Sequence, residues 1–185
     1  LKITSDPAKA AEAIVCGQIR QLDIGCFGKR VFVYVASFGA FTRTSYAASQ
    51  DMKNTLGHFG HLVEGIRDLN TLRPYSVRIT ADGEPLDGDY LFGAVANSTS
   101  IAGMMKLDGE EVVLDDGRFE LLLIPNPKNV VELQILIWAL LNQQYDTGGL
   151  IFRHVTNIHV ETDEELPWSL DGEYAPSLPS VGLAT

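Results

Sequence analysis

Apolar positions along this chain change their period several times, and each change marks an element. Ser5-Asp6-Pro7 reads as a helix start, with Asp6 as N-cap and Pro7 at the first helical position. Ala8, Ala11, Ile14 and Val15 continue the helix to a terminating Gly17. Ile19, Leu22 and Ile24 then lead through Gly25 to Gly28, and Lys29 to Ser37 (KRVFVYVAS) follows, rich in β-branched and aromatic residues. This pair predicts a hairpin whose nearly continuous second strand is buried on both faces. From Asp51 the step becomes three and four. Met52, Leu56, Phe59, Val63, Ile66 and Leu69 fall on one face of a helix of about five turns, which Pro74 ends.

Beyond Pro74 the pattern shortens into strands. Tyr75 to Thr80 meets the hairpin dipeptide Asp82-Gly83, and Tyr90 to Ala96 is the next long β run. Asn97 to Lys106 reads as a loop and Arg118 to Ile124 as a strand. Pro125-Asn126-Pro127 ends that strand and opens a helix over Asn129 to Asn142, with Val130, Leu133, Ile137 and Leu140 on one face. Gly148-Gly149 returns the chain to strand over Leu150 to Val160, and an acidic turn at Asp163 to Glu165 precedes a last strand, Trp168 to Tyr174. Many short strands, hairpin turns and two or three helices predict a mainly β fold: an antiparallel β-sandwich with flanking helices, one domain over residues 1–185. The strand-helix-strand rhythm of a doubly wound sheet is missing.

Composition narrows the function. At 45% hydrophobic and 21% charged residues, the chain can bury a core and is not disordered. Fourteen basic against twenty-four acidic side chains leave −10 at pH 7, which argues against nucleic acid as a partner. No apolar run approaches the ~20 residues of a spanning helix, and no secretory signal opens the chain. Cys16 and Cys26 make neither a disulfide framework nor a zinc cluster; they fit a reducing cytosol and read as small buried apolar side chains.

Most familiar catalytic motifs are missing too. There is no P-loop, dinucleotide fingerprint or Gly-x-Ser-x-Gly elbow. His58 and His61 stand three apart on the predicted helix, but no Cys or carboxylate triad accompanies them and they read as surface or packing histidines; His154 and His159 take no role. What stands out is a set of acidic-glycine turns. Asp82-Gly83-Glu84 and Asp108-Gly109-Glu110 read as plain hydrated turns. Asp115-Asp116-Gly117, directly before the apolar run FELLLI, clusters oxygens of a kind that suits Mg²⁺. Asp171-Gly172-Glu173 lies among Trp168, Leu170 and Tyr174, an apolar setting that moves a carboxylate toward base strength. In an extended strand Asp171 and Glu173 share one face and form a coupled pair.

In order along the chain, QLDIGCFGKRVFVYVASFGAFT, MKNTLGHFGH, NSTSIAGMMKL, VVLDDGRFELLLI and WSLDGEYAPSLP form a series that resembles the C-terminal half of bacterial soluble lipid kinases of the diacylglycerol kinase catalytic-domain family. The Gly-Gly-Asp-Gly-Thr motif of the family's nucleotide-binding half does not occur; the only Gly-Gly here is Gly148-Gly149. The resemblance, with a first residue Leu1 in place of Met, implies a chain cut from a longer protein whose N-terminal nucleotide-binding domain holds ATP. It implies a structural Mg²⁺ on main-chain oxygens of Val113 and Arg118 with Asp116 nearby. It further implies that Glu173 accepts the proton of a lipid hydroxyl, with Asp171 orienting it or acting as base in its place. The implied partners are the N-terminal domain, a diacylglycerol-like lipid at a membrane surface, and a second copy of the chain. The implied location is the cytoplasm, peripheral to the membrane. A non-catalytic lipid-binding or dimerisation sandwich is the alternative, and a plain acidic globular domain the third reading.

Overall fold

The computed structural model describes residues 4–39, 73–98, 100–101, 105–106, 113–145 and 147–184. Helix α1 (Pro7–Cys16) starts as expected: Asp6 Oδ1 accepts from Ala8 N at 3.0 Å and from Lys9 N at 3.4 Å. Helix α2 (Val130–Leu141) opens on a reciprocal cap. Asn129 Oδ1 accepts from Glu132 N at 2.9 Å, while Glu132 reaches back to Asn129 Nδ2 at 2.9 Å and to Lys128 N at 2.7 Å.

The strands pair antiparallel throughout and form two layers that share one strand. The first layer runs β2 (Arg30–Phe32), β1 (Gly25–Phe27), β14 (Ser180–Ala184), β11 (Asn157–Glu161), β4 (Tyr75–Ala81) and β5 (Glu84–Pro85). The second runs β13 (Glu173–Ala175), β12 (Trp168–Leu170), β3 (Val35–Gly39), β6 (Gly88–Ala96), β9 (Phe119–Pro125) and β10 (Ile151–Val155). β4 belongs to both: Tyr75 to Val77 pairs with β6, and Arg78 to Ala81 with β11. A separate pair, β7 (Ser100–Ile101) and β8 (Met105–Lys106), lies within the stretch expected to be loop.

Two cores hold these layers. Between the sheets, Trp168 is 1% exposed and packs edge-on against Phe27 of one layer and Phe38 of the other, each with ring centroids 5.0 Å apart. Phe32, Ile79, Phe119, Leu121 and Leu123 complete that interior. On the outer face of the second layer, Phe92, Ala94, Leu122 and Ile124 meet Leu136, Ala139 and Leu140 of α2. The second layer is therefore covered on both sides, which is why β3 and β9 read as nearly continuous apolar runs.

A strand that leaves one layer for the other abandons its ladder, and its N–H groups need new acceptors. Acidic side chains supply them. Between β2 and β3, Asp171 accepts from Val33, Tyr34 and Val35 N, each at 2.8 Å. Between β10 and β11, Asp82 accepts from Thr156 N at 3.0 Å and Asn157 N at 2.8 Å. Asp87 takes Ile79 N at 3.0 Å, and Glu164 takes Ser76 N at 2.9 Å. These corners account for two corrections: Lys29 to Ser37 divides into β2 and β3, and Leu150 to Val160 into β10 and β11. A third has a local cause, since Trp168 to Tyr174 folds at Asp171-Gly172 into the β12–β13 hairpin of one layer.

Other expectations shift as well. Strand β14 carried no sequence expectation. The buried stripe of α2 is Leu133, Leu136, Ala139 and Leu140, while Val130 stays 55% exposed. Cys16 and Cys26 are both exposed free thiols, not buried ones, because neither α1 nor the outer side of β1 turns them toward a core. Ile19, Leu22 and Ile24 are exposed and outside any strand. The helix expected from Asp51, with His58 and His61, lies outside the described residues. Among the described residues no helix is long and apolar enough to cross a membrane.

Leu122 is fully buried beneath α2. Leu122→Ala is expected to lower unfolding free energy by about 2–5 kcal/mol, read from the urea midpoint, through lost burial and a residual cavity. A loss below about 1 kcal/mol would show that α2 does not seal this face.

Candidate active site

The β12–β13 hairpin turns on Asp171 and Gly172, whose φ values of 51° and 89° and two-residue loop mark a type I′ turn. The turn separates the two carboxylates. Asp171 folds back onto the β2–β3 crossing, and its backbone N–H donates to Val35 O at 2.8 Å. Glu173, which opens β13, extends into solvent with its side chain 83% exposed, 3.7 Å from Arg30. Arg30 also donates to Tyr174 O at 2.9 Å, tying β2 to β13. The two acids thus do not share one face of an extended strand as expected, because a left-handed turn intervenes. Trp168 and Leu170 face the core, so they do not enclose Glu173. The exposed apolar side chains on the flanking segments are Val31, Val33, Tyr34 and Tyr174.

The second expected site is the turn at 113–118. Asp116 Oδ1 accepts from Arg118 N at 3.0 Å, and Gly117, at φ 73°, lets the chain reverse. Two residues that the sequence reading did not single out hold this turn. Asp23 Oδ2 accepts from Gly117 N at 2.6 Å, and Asp23 N donates to Leu114 O at 2.8 Å. Asn97 Nδ2 donates to Asp23 O at 2.8 Å and to Leu114 O at 3.1 Å. Among the described residues Asn97 Oδ1, on the same amide, is a buried acceptor with no hydrogen-bond partner. Among the described residues no group of three His, Cys, Asp or Glu side chains gathers. The turn instead offers a carboxylate, main-chain oxygens and the unpartnered Asn97 oxygen beside them. An all-oxygen set of that kind fits a hard cation such as Mg²⁺.

The structure brings these two regions together. Tyr34 donates its N–H to Asp171, and its carbonyl accepts from Asn97 N at 3.1 Å. An unbroken path therefore runs from the Asp171 carboxylate through Tyr34 and Asn97 to the 113–118 turn. Only signals remote in sequence connect them: Asn97 closes β6, and Asp23 lies in an apolar lead-in.

One further acid is concealed in β9. Glu120, 1% exposed, has its carboxyl pushed up to about 7, first by burial and also by the nearby Asp116 charge; the N–H of Ser98 opposes the shift. The histidine beside β14 is of a different kind. Ser180 Oγ and Glu161 Oε1 both approach the same nitrogen, His159 Nε2, at 3.1 and 3.2 Å, so no base–orienter relay exists there.

An all-antiparallel two-layer sandwich, carrying an acid-clamped corner joined to an oxygen-rich turn, is the class of domain that fold and site define. The chain belongs to the family described as the YegS C-terminal NAD kinase beta sandwich-like domain, which matches residues 35–183. It is 30% identical over 181 residues to the diacylglycerol kinase of Staphylococcus carnosus (strain TM300), covering 97% of this chain and 58% of that protein. It is 28% identical over 174 residues to the diacylglycerol kinase of Bacillus subtilis (strain 168), covering 94% and 57%. Two solved structures from Bacillus anthracis str. Sterne, described as diacylglycerol kinases, share the fold with TM-scores of 0.72 and 0.66 at 21% and 19% identity. Each covers 99% of this chain and 60% of its own. The chain thus spans less than two thirds of the length of the relatives it matches.

Glu120 gives a signed pH dependence. Its folded-state carboxyl titrates near 7, above its ordinary value of 4.5. Between these values the unfolded chain has released the proton while the folded one retains it, so stability falls as pH rises from about 4.5 to 7. In chelator-containing buffer, Glu120→Gln is expected to remove this part of the decline in urea midpoint. An identical slope in both proteins would refute the assignment.

Proposed function

We propose that this chain is the C-terminal domain of an ATP-dependent lipid kinase that phosphorylates a diacylglycerol-like hydroxyl. What carries the reading is the junction of the Glu173 corner with the 113–118 turn, in a chain that spans part of the length of proteins described as diacylglycerol kinases. A lipid hydroxyl is a weak nucleophile, and a positioned carboxylate activates it by taking its proton. Glu173 is the proposed acceptor: it is solvent-open at the corner, with Arg30 as its charged neighbour. Asp171 is the alternative acceptor. As the hydroxyl oxygen bonds to the γ-phosphorus of ATP, the bond to the ADP oxygen breaks and the hydroxyl proton passes to the carboxylate.

ATP is held by the remaining, nucleotide-binding part of the longer protein; the exposed Val31, Val33, Tyr34 and Tyr174 suit a lipid on this domain's side. The proposed place of work is the cytoplasmic face of a membrane, bound peripherally. Val113 and Arg118 would hold Mg²⁺ through main-chain oxygens with Asp116 beside them, and the ion would supply a fixed positive charge that braces the turn. A second reading, a non-catalytic lipid-binding or dimerisation sandwich, draws on the exposure of Ile14 at 76% and Val15 at 84% on α1.

Three outcomes test the proposal. The 185-residue chain alone should form no phosphorylated lipid from ATP and diacylglycerol vesicles, whereas the full-length protein should. In the full-length protein, Glu173→Gln is expected to lower kcat by roughly 10²–10⁴-fold; near-normal kcat would reject Glu173 as acceptor. Asp116→Ala should abolish the rise in Tm that MgCl₂ gives the unaltered protein, and a retained rise would place the ion elsewhere.

A further inference from the structure

Two Asp-Gly-Glu triplets occur in the described residues, at 82–84 and 171–173, and the structure builds the same device from each. Both aspartates and both glycines have positive φ: 47° and 87° in the first turn, 51° and 89° in the second. Each aspartate N–H donates to a carbonyl on another segment, Asp82 to Asn157 O at 2.9 Å and Asp171 to Val35 O at 2.8 Å. That same residue returns its own N–H to the aspartate Oδ1, at 2.8 Å in both cases. The residue before it donates as well: Thr156 N to Asp82 and Tyr34 N to Asp171. In both places the clamped segment is the point where the chain crosses from one layer to the other, β10 to β11 and β2 to β3.

They differ in two respects. Asp171 gains a third donor, Val33 N at 2.8 Å on Oδ2, whereas Asp82 Oδ2 shares the N–H of Thr156 with Oδ1. Its glutamate has an ion-pair neighbour in Arg30, whereas Glu84 has no ion pair among the described residues. Asp171 thus commits its carboxylate to three backbone N–H groups, while Glu173 extends into solvent beside Arg30.

From the two matching clamps we infer that Asp171 is a positioning residue that acts only through Glu173: it locks the β2–β3 crossing and so sets where the hairpin presents the glutamate. This rests on the reading of Glu173 as proton acceptor. Asp82 supplies an internal control, the same clamp at a corner without Arg30.

The test uses the full-length protein with ATP and diacylglycerol in mixed micelles, reading kcat, KM for lipid and Tm. Asp171→Asn keeps an oxygen for Tyr34 and Val35 and sets its amide against Val33 N–H, so it disturbs the clamp without emptying it; Asp171→Glu, one methylene longer, is the second variant. Either is expected to lower kcat by roughly 10–100-fold through misplacement, with KM within about two-fold. Asp82→Asn should lower Tm by roughly 2–4 °C and leave kcat within about two-fold. The decisive measurement is Asp171→Asn combined with Glu173→Gln, expected to be no slower than Glu173→Gln alone, because a residue acting through another adds nothing once that other is gone. A double variant slower by the product of the single losses would overturn the inference, as would a normal kcat in both Asp171 variants or an equal kcat loss in Asp82→Asn. An active Glu173→Gln variant would overturn the reading of Glu173 itself, a separate outcome.

Discussion

The backbone N–H groups exposed where strands change layers are the constraint on which this domain depends. A sandwich built from one curled set of strands must turn corners, and every corner removes donors from a ladder. Here the acceptors are carboxylates: Asp171 and Asp82 at two crossings, Asp87 and Glu164 along β4. Each of these bonds satisfies a backbone donor that has left its ladder, whereas Arg78 joins Glu161 and Asp163 as one exposed side chain to two others.

From the same constraint follows the position of the site. Asp171 must meet the β2–β3 crossing, which fixes the β12–β13 hairpin over Arg30 and sends Glu173 outward. Tyr34, caught in that clamp, passes its carbonyl to Asn97, and Asn97 holds both Leu114 and Asp23. The oxygen-rich turn is thereby set at the same end of the sandwich as the exposed glutamate. Trp168, wedged between Phe27 and Phe38 three residues before Asp171, gives this corner a rigid apolar footing. The separate core beneath α2 reaches the same region, since it includes Val35 and packs against Leu114.

Glu120 shows how a strand buried on both faces tolerates an acid. Its neighbours in β9 are all apolar and it is 1% exposed, so burial raises its carboxyl to about 7 even though the N–H of Ser98 pulls the other way.

Local rules alone determined much of this protein. Both described helices were legible locally, the first from Asp6 before Pro7 and the second from Pro125-Asn126-Pro127 and the apolar face that follows it. The Asp82-Gly83 hairpin and the two-faced burial of Val35 to Ser37 were equally local. The sandwich class followed from the number and spacing of the runs, and the resemblance carried by WSLDGEYAPSLP marked the glutamate-bearing turn. Only the tertiary structure decided where two apparently continuous strands break. Val33, Tyr34 and Thr156 are good strand formers, and their runs show no interruption until a carboxylate arrives from 138, 137 or 74 positions away. Asp171 and Asp82 look alike in sequence and are alike in the fold; what distinguishes Glu173 from Glu84 is Arg30, brought close by strand pairing. Asp23 and Asn97 were illegible for the same reason, since a side chain that satisfies distant backbone groups has no local pattern to announce it.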